Sequence, residues 1–169
     1  NIIAVSHNTK KDILRFFPNI NPDKIKVIYH GSSIKIDPGT KVDLPKDYVL
    51  YVGARAHYKN FEFLLKAIAP ILKNNPELKL VAAGGGEFDE EEVQYIKNID
   101  LETQVVQRNF KENELGHFYK NAKVFIFPSL YEGFGIPVLE SMACGCPIIL
   151  SKCGSLPEVA GNAGLFFDN

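Results

Sequence analysis

Three loops in this 169-residue chain combine glycine with charged side chains at spacings that could bind and activate an anionic ligand. The first is Gly53–Asn60, reading GARAHYKN. Gly53 permits a tight exit from a preceding strand, and Arg55 and Lys59 bracket a stretch that opens a helix, where backbone donors point outward. Arginine grips phosphate oxygens in a fork and lysine acts as a mobile point charge, so the loop suits a diphosphate. A solvated basic loop would look the same locally. The second is Gly84, Gly85 and Gly86, where ligand and backbone can approach closely; a plain turn explains it as well. The third is Pro128–Glu140, PSLYEGFGIPVLE. Gly133, Phe134, Gly135 and Ile136 lead into a helix with Pro137 in its first turn, and amides beside the two glycines can serve hydroxyls or a phosphate. Glu132 lies in that loop. Glu140 lies three residues after Pro137, on about the same helix face, placed to accept hydrogen bonds from a diol.

The elements that must carry these loops alternate regularly. Apolar runs at Tyr48–Val52, Leu78–Ala83, Gln104–Gln107, Val124–Phe127, Pro147–Leu150 and Gly164–Phe167 read as strands. Helical patterns lie between them at Phe61–Lys73, Asp89–Ile99, Asn113–Tyr119, Ile136–Ala143 and Leu156–Val159. Asn60 is expected to cap the first of these helices, and Pro70 to bend it or end it early. Ser155 and Glu158 fit a capping box. Strands apolar at every position, not at every second one, indicate a parallel sheet covered on both faces: a Rossmann-like, doubly wound α/β fold. Ligands of such sheets lie at the carboxyl ends of the strands, where all three loops fall. Upstream, Ile2–Val5, Asn8–Phe17 and Ile25–Tyr29 read as strand, helix and strand, with Ser6 or Asn8 as the helix cap. Residues 32–47, with Pro38, Gly39 and Pro45, read as a linker or surface excursion between residues 1–31 and an α/β unit over 48–169.

Composition narrows the classes. Apolar residues make up 46% and charged residues 23%, so one sizeable core is expected and general disorder is not. Residues 1–80 carry 13 basic and 7 acidic side chains, residues 81–169 carry 6 and 13, so one wall of a shared cleft could favour an anion. Nothing resembles the dense basic stripe of a nucleic-acid binder. Cys144, Cys146 and Cys153 suit buried small hydrophobes better than a disulfide scaffold or zinc site. No Gly-x-Gly-x-x-Gly run supports nicotinamide binding. The chain opens on NIIAVS, as if in mid-fold, so its native start is expected upstream.

These runs resemble the carboxyl-terminal domain of the retaining, GT-B-fold glycosyl transferases group 1. Glu132 and Glu140, embedded in PSLYEGFGIPVLESMACGCPII, carry the likeness furthest. GSLPEVAGNAGLFFD, YVGARAHYKNFEFLLKA, LVAAGGGE and the stretch from SHNTKKDILRFF to VIYHG extend it over nearly the whole chain. In many members the arginine follows the strand glycine directly, whereas here Ala54 stands there and Arg55 comes next.

The resemblance implies a donor-binding half of an enzyme that moves a sugar from a nucleotide diphosphate sugar to an acceptor hydroxyl, with no bound metal or other cofactor. It assigns Arg55 and Lys59 to the diphosphate. Glu140 goes to the ribose, and Glu132 with Gly133, Phe134 and Gly135 to the transferred sugar. Gly53, Gly84, Gly85 and Ile136 complete the donor site, and Arg108, Asn109 and Phe110 would border the base. It implies an amino-terminal domain holding an acceptor glycan or lipid-linked sugar, further carboxyl-terminal helices, weak donor binding and little turnover by this segment alone. The expected setting is the cytoplasm, free or at the inner face of the membrane, in polysaccharide or glycoconjugate synthesis. An epimerase or phosphorylase of the same fold, or a noncatalytic nucleotide-sugar sensor, would share these motifs.

Overall fold

A computed structural model describes residues 1–168. Six parallel strands form the main sheet: β3 (Tyr48–Val52), β4 (Lys79–Ala83), β5 (Val105–Arg108), β6 (Val124–Phe127), β7 (Ile148–Ser151) and β8 (Gly164–Phe167). Their spatial order is β5-β4-β3-β6-β7-β8. The order reverses between β3 and β6, which is the switch point at which doubly wound sheets bind ligands. A separate two-stranded parallel sheet pairs β1 (Ile2–Ala4) with β2 (Ile25–Val27), across α1 (His7–Phe16).

The continuous apolar strands follow from two cores. Tyr48, Leu50 and Val52 of β3 join one cluster, with Phe118, Tyr119, Val138 and Leu156. These four come from α4 (Leu115–Asn121), α5 (Ile136–Ala143) and α6 (Leu156–Ala160). Val49 and Tyr51 face the opposite cluster, with Leu64, Leu65 and Ile68 of α2 (Phe61–Lys73) and Ile96 of α3 (Glu90–Asn98). Successive strand residues point to opposite faces, so a sheet buried on both sides leaves few positions for a polar residue. Cys144 and Cys146 are buried and unpaired, and burial pushes both thiols up in pKa.

Two expectations are corrected locally. Asn60 does not cap α2 through its side chain; it is a left-handed residue at φ 57° that turns the chain from a 3-10 turn over His57–Lys59 into the helix. Asparagine tolerates that conformation better than most residues. Pro70 does not end α2, which continues to Lys73. Pro70 and Lys66, whose carbonyl loses its helical donor, are both exposed, so water can take the missing bond. By contrast, Ser6 caps α1, accepting from the amide of Thr9.

Residues 32–47 form no helix or strand and are mostly exposed, yet a few of their side chains pack. Ile34, Val42 and Leu44 lie against the core, and His117 of α4 meets the Asp37 carbonyl at 2.8 Å.

Candidate functional site

The first and second loops interlock. Gly53 leaves β3 at φ 122°, and Gly84, Gly85 and Gly86 leave β4 at 79°, 75° and 80°. A Cβ on Gly85 would lie 2.8 Å from the Gly53 carbonyl oxygen and 2.8 Å from the Arg55 guanidinium, so this turn requires glycine for both its dihedral and its contact.

Arg55 holds that turn together. Its Nη1 donates to the Gly84 carbonyl at 3.0 Å, and its Nη2 to the carbonyls of Gly86 and Glu87 at 3.2 and 2.8 Å. Its Nε meets Glu92 Oε1 at 2.6 Å, and the guanidinium lies 4.8 Å from the Phe88 ring centre. The side chain is 5% exposed. Glu92 serves two partners, because its other oxygen accepts from the amide of Asp89 while Asp89 accepts from the amide of Glu92, a reciprocal cap on α3. Arg55 is therefore committed to the glycine turn and shares no partner with Lys59.

Lys59 turns to the third loop. Its ammonium meets Glu132 Oε1 at 2.6 Å, with side chains 14% and 13% exposed. The ammonium also lies 5.1 Å from the Phe127 ring centre and 5.2 Å from that of Tyr58. A backbone bond from Leu130 to the Tyr58 carbonyl, 2.8 Å, fastens the loops beside the pair. Lys59 and Glu132 thus meet across the switch point, following β3 and β6.

Gly135 starts α5 at φ 94°, where a Cβ would lie 2.7 Å from Leu156 Cδ2. Ile136 is largely exposed at the helix start, whereas the Phe134 ring is buried, 5.1 Å from His30 and 5.9 Å from Tyr29. Only the backbone of Phe134 is therefore placed to serve a ligand. The expected capping box at Ser155 and Glu158 is absent. Ser155 has helical dihedrals and makes no cap; its Oγ lies 2.9 Å from the carbonyls of both Glu132 and Phe134. Glu158 instead reaches the first segment, accepting from the amides of His7 and Asn8 and from the Tyr29 hydroxyl.

Glu140 lies apart from the Lys59–Glu132 pair. Its Oε2 accepts from the Tyr119 hydroxyl at 2.9 Å. It lines a cavity of ≈ 620 Å³ with Ser33, Lys35, Asp37, Lys111 and Asn113, while Arg55 and Glu92 line another of ≈ 560 Å³. Burial raises the Glu140 pKa above the ordinary value of 4.5, against the opposing bond from Tyr119. Raised in the fold, this group costs stability as pH climbs from the ordinary glutamate value through the folded one. Glu140→Gln should therefore raise Tm at neutral pH, and melting curves at neutral and acidic pH check the sign.

Tyr119, Glu92 and the Glu158 contacts were not foreseen. Only Glu92 had a local signal, the Asp89-x-x-Glu92 spacing at an acidic helix start. Among the described residues, no group of three or more His, Cys, Asp or Glu is arranged to hold a metal. No described helix is long and apolar enough to cross a membrane.

Comparison with known proteins gives this geometry a context. The family described as Glycosyl transferases group 1 matches residues 32–169. The chain is 31% identical over 189 residues to O-antigen chain mannosyltransferase B of Escherichia coli, covering 99% of the chain and 47% of that protein. It is 32% identical over 172 residues to an uncharacterised glycosyltransferase of Methanocaldococcus jannaschii, covering 94% and 44%. Among solved structures, Anabaena HepE in complex with UDP and glucose superposes with a TM-score of 0.81 at 22% identity, over 98% of this chain and 48% of that one. The apo lipopolysaccharide outer core galactosyltransferase WaaB gives 0.72 at 27%, likewise over 98% and 48%. The chain spans about half the length of the curated relatives it matches.

Proposed function

Because the chain belongs to the glycosyl transferases group 1 family, we propose that it is the donor-binding half of a retaining glycosyltransferase that moves a hexosyl group from a nucleotide diphosphate sugar to an acceptor hydroxyl. The observation that carries this reading is the Lys59–Glu132 contact across the switch point. A cation beside a carboxylate there can take a pyrophosphate on one side and sugar hydroxyls on the other.

In this reading the bond from the anomeric carbon to the β-phosphate oxygen breaks, and its electron pair stays on the diphosphate. Lys59 stabilises the charge that grows there, shifting part of its contact from Glu132 to the diphosphate. The acceptor oxygen attacks the same face of the sugar, and its proton passes to the departing phosphate oxygen. Glu132 and the amides of Gly133–Gly135 hold the sugar, and Glu140 accepts from the ribose hydroxyls. Arg55 acts from behind the glycine turn, shaping Gly84–Gly86 and adding positive potential; direct contact with the diphosphate would require it to release Glu92 or a carbonyl of the turn. No metal enters the scheme, since the basic residues supply the positive charge.

Residues 1–31 belong, in this proposal, to the amino-terminal domain or its crossover. The acceptor is a glycan or lipid-linked sugar held there, and the setting is the cytoplasm beside the membrane. The similarity to a protein named O-antigen chain mannosyltransferase B supports a role in polysaccharide or glycoconjugate synthesis.

The test is a panel of nucleotide sugars with the full-length protein, with products analysed for anomeric configuration. Transfer with retained configuration supports the proposal. Epimerised sugar, sugar phosphate, or binding without turnover each overturns it, in favour of an epimerase, a phosphorylase or a sensor.

A further inference from the structure

The first segment, β1–α1–β2, stands outside the main sheet, and polar groups tie it to the loop that carries Glu132. Ser6 Oγ and Thr9 Oγ1 lie 2.7 and 2.9 Å from the Gly133 carbonyl oxygen, and Ser6 is fully buried. Asn8 and Asp12 both bond the Tyr131 hydroxyl. From α6, the Glu158 carboxylate accepts from His7 N at 2.6 Å, Asn8 N at 3.1 Å and the Tyr29 hydroxyl at 2.6 Å. A carboxylate at the first turn of α1 also meets the positive end of the helix dipole. Burial alone would push the Glu158 pKa up, but these donors outweigh it and hold the group below the ordinary value. The links from Ser6, His7, Asn8 and Thr9 come from one turn of chain and fall on two separate segments, more than 120 positions away in sequence.

We propose that Glu158, Ser6 and Thr9 form a clasp by which the first segment sets the position of the Tyr131–Gly135 loop, making them positioning residues for the transferred sugar. The clasp itself stands on the geometry; its consequence for turnover rests on the transferase reading. A carbonyl held at Gly133 fixes the peptide plane that follows it, so the direction of the next amide depends on Ser6 and Thr9. Loss of Glu158 frees the end of α1 that supplies both hydroxyls.

Hydrogen exchange of this chain tests the clasp. The reporters are the amides of Leu130 and Val138, bonded to the Tyr58 and Gly135 carbonyls and touched by neither variant directly. Glu158→Gln and Thr9→Val should each speed their exchange about tenfold, with Leu50 and Leu80 unchanged, and Thr9→Ser should leave it as in the parent. Thr9→Val retains the α1 cap, because Ser6 Oγ still accepts from the amide of residue 9. Changes confined to the amides of residues 6–10, or equal effects of Thr9→Val and Thr9→Ser, overturn the clasp. In the full-length protein, Thr9→Val should lower kcat/KM for transfer by about tenfold while Thr9→Ser retains it. If the parent transfers nothing and the exchange pattern still appears, the transferase reading fails and the clasp stands.

Discussion

Lys59→Ala is expected to lower transfer by the full-length protein by about 10²–10³ in kcat, and to weaken nucleoside diphosphate binding by this chain by at least about tenfold. Lys59 is the one basic group proposed here to touch the diphosphate without first dismantling a turn. Its removal also damages the fold, because Glu132 is 13% exposed and would be left without its cation. Breaking one side of a fully buried pair costs about 3–5 kcal/mol; the residual exposure of both groups places this loss toward the lower end. The double variant Lys59→Met with Glu132→Gln separates the two effects, since it removes both charges together. It should regain most of the stability in urea titration and none of the transfer. Glu132→Gln alone should bind nucleoside diphosphate at least as tightly as the parent, because Lys59 no longer shares its charge with an internal carboxylate, and should still fail to transfer. Full transfer activity in Lys59→Ala would remove Lys59 from the mechanism.

Gly154→Ala should be a strongly damaging single-methyl change beside Glu132. Gly154 sits at φ 53°, and a Cβ there would lie 2.6 Å from the Glu132 carbonyl oxygen and 3.1 Å from the Glu132 nitrogen. The left-handed conformation alone costs an alanine about 1–2 kcal/mol. The contact adds about 1–3 kcal/mol, since what must give is backbone rather than a flexible side chain. The displaced residue is Glu132 itself, so sugar transfer should fall about 10²-fold for a shift of the order of 1 Å. Gly145→Ala is the control: Gly145 has φ 69°, and its Cβ would meet nothing within 4 Å. It should lose only the conformational part, with transfer unchanged. Equal losses of stability in the two variants would show that the Gly154 contact is relieved at no cost.

The charge asymmetry of the chain takes on a different meaning in the fold. The counts alone fit an anion-attracting first wall or an ordinary solvated surface equally. In the structure Arg55, Lys59 and Lys73 pair with Glu92, Glu132 and Asp100, each an acid from the second half. The wall is partly neutralised by its own opposite wall. Under the proposed function a diphosphate competes with Glu132 for Lys59, and this competition is what the Glu132→Gln titration reads.

Element type and order were legible in the chain itself. A strand such as YVLYV, apolar at all five positions, suits only a sheet covered on both sides, and α2 announces itself by Phe61, Leu64, Leu65, Ile68 and Leu72 on one face. Pro137 in the first turn of α5 was legible, and the Asp89–Glu92 cap, though not foreseen, left a local signal because its partners lie within one helical turn. Partners across the fold were not legible. Glu158 follows Ser155 at capping-box spacing, yet it bonds His7, Asn8 and Tyr29, and Arg55 stands beside Lys59 in the chain, yet it closes the glycine turn onto Glu92. Short-range spacing decides which backbone conformation a segment adopts and which face it buries. Which acceptor a long side chain meets depends on where a distant segment comes to rest, and that is decided only when both sheet faces and the first helix have packed.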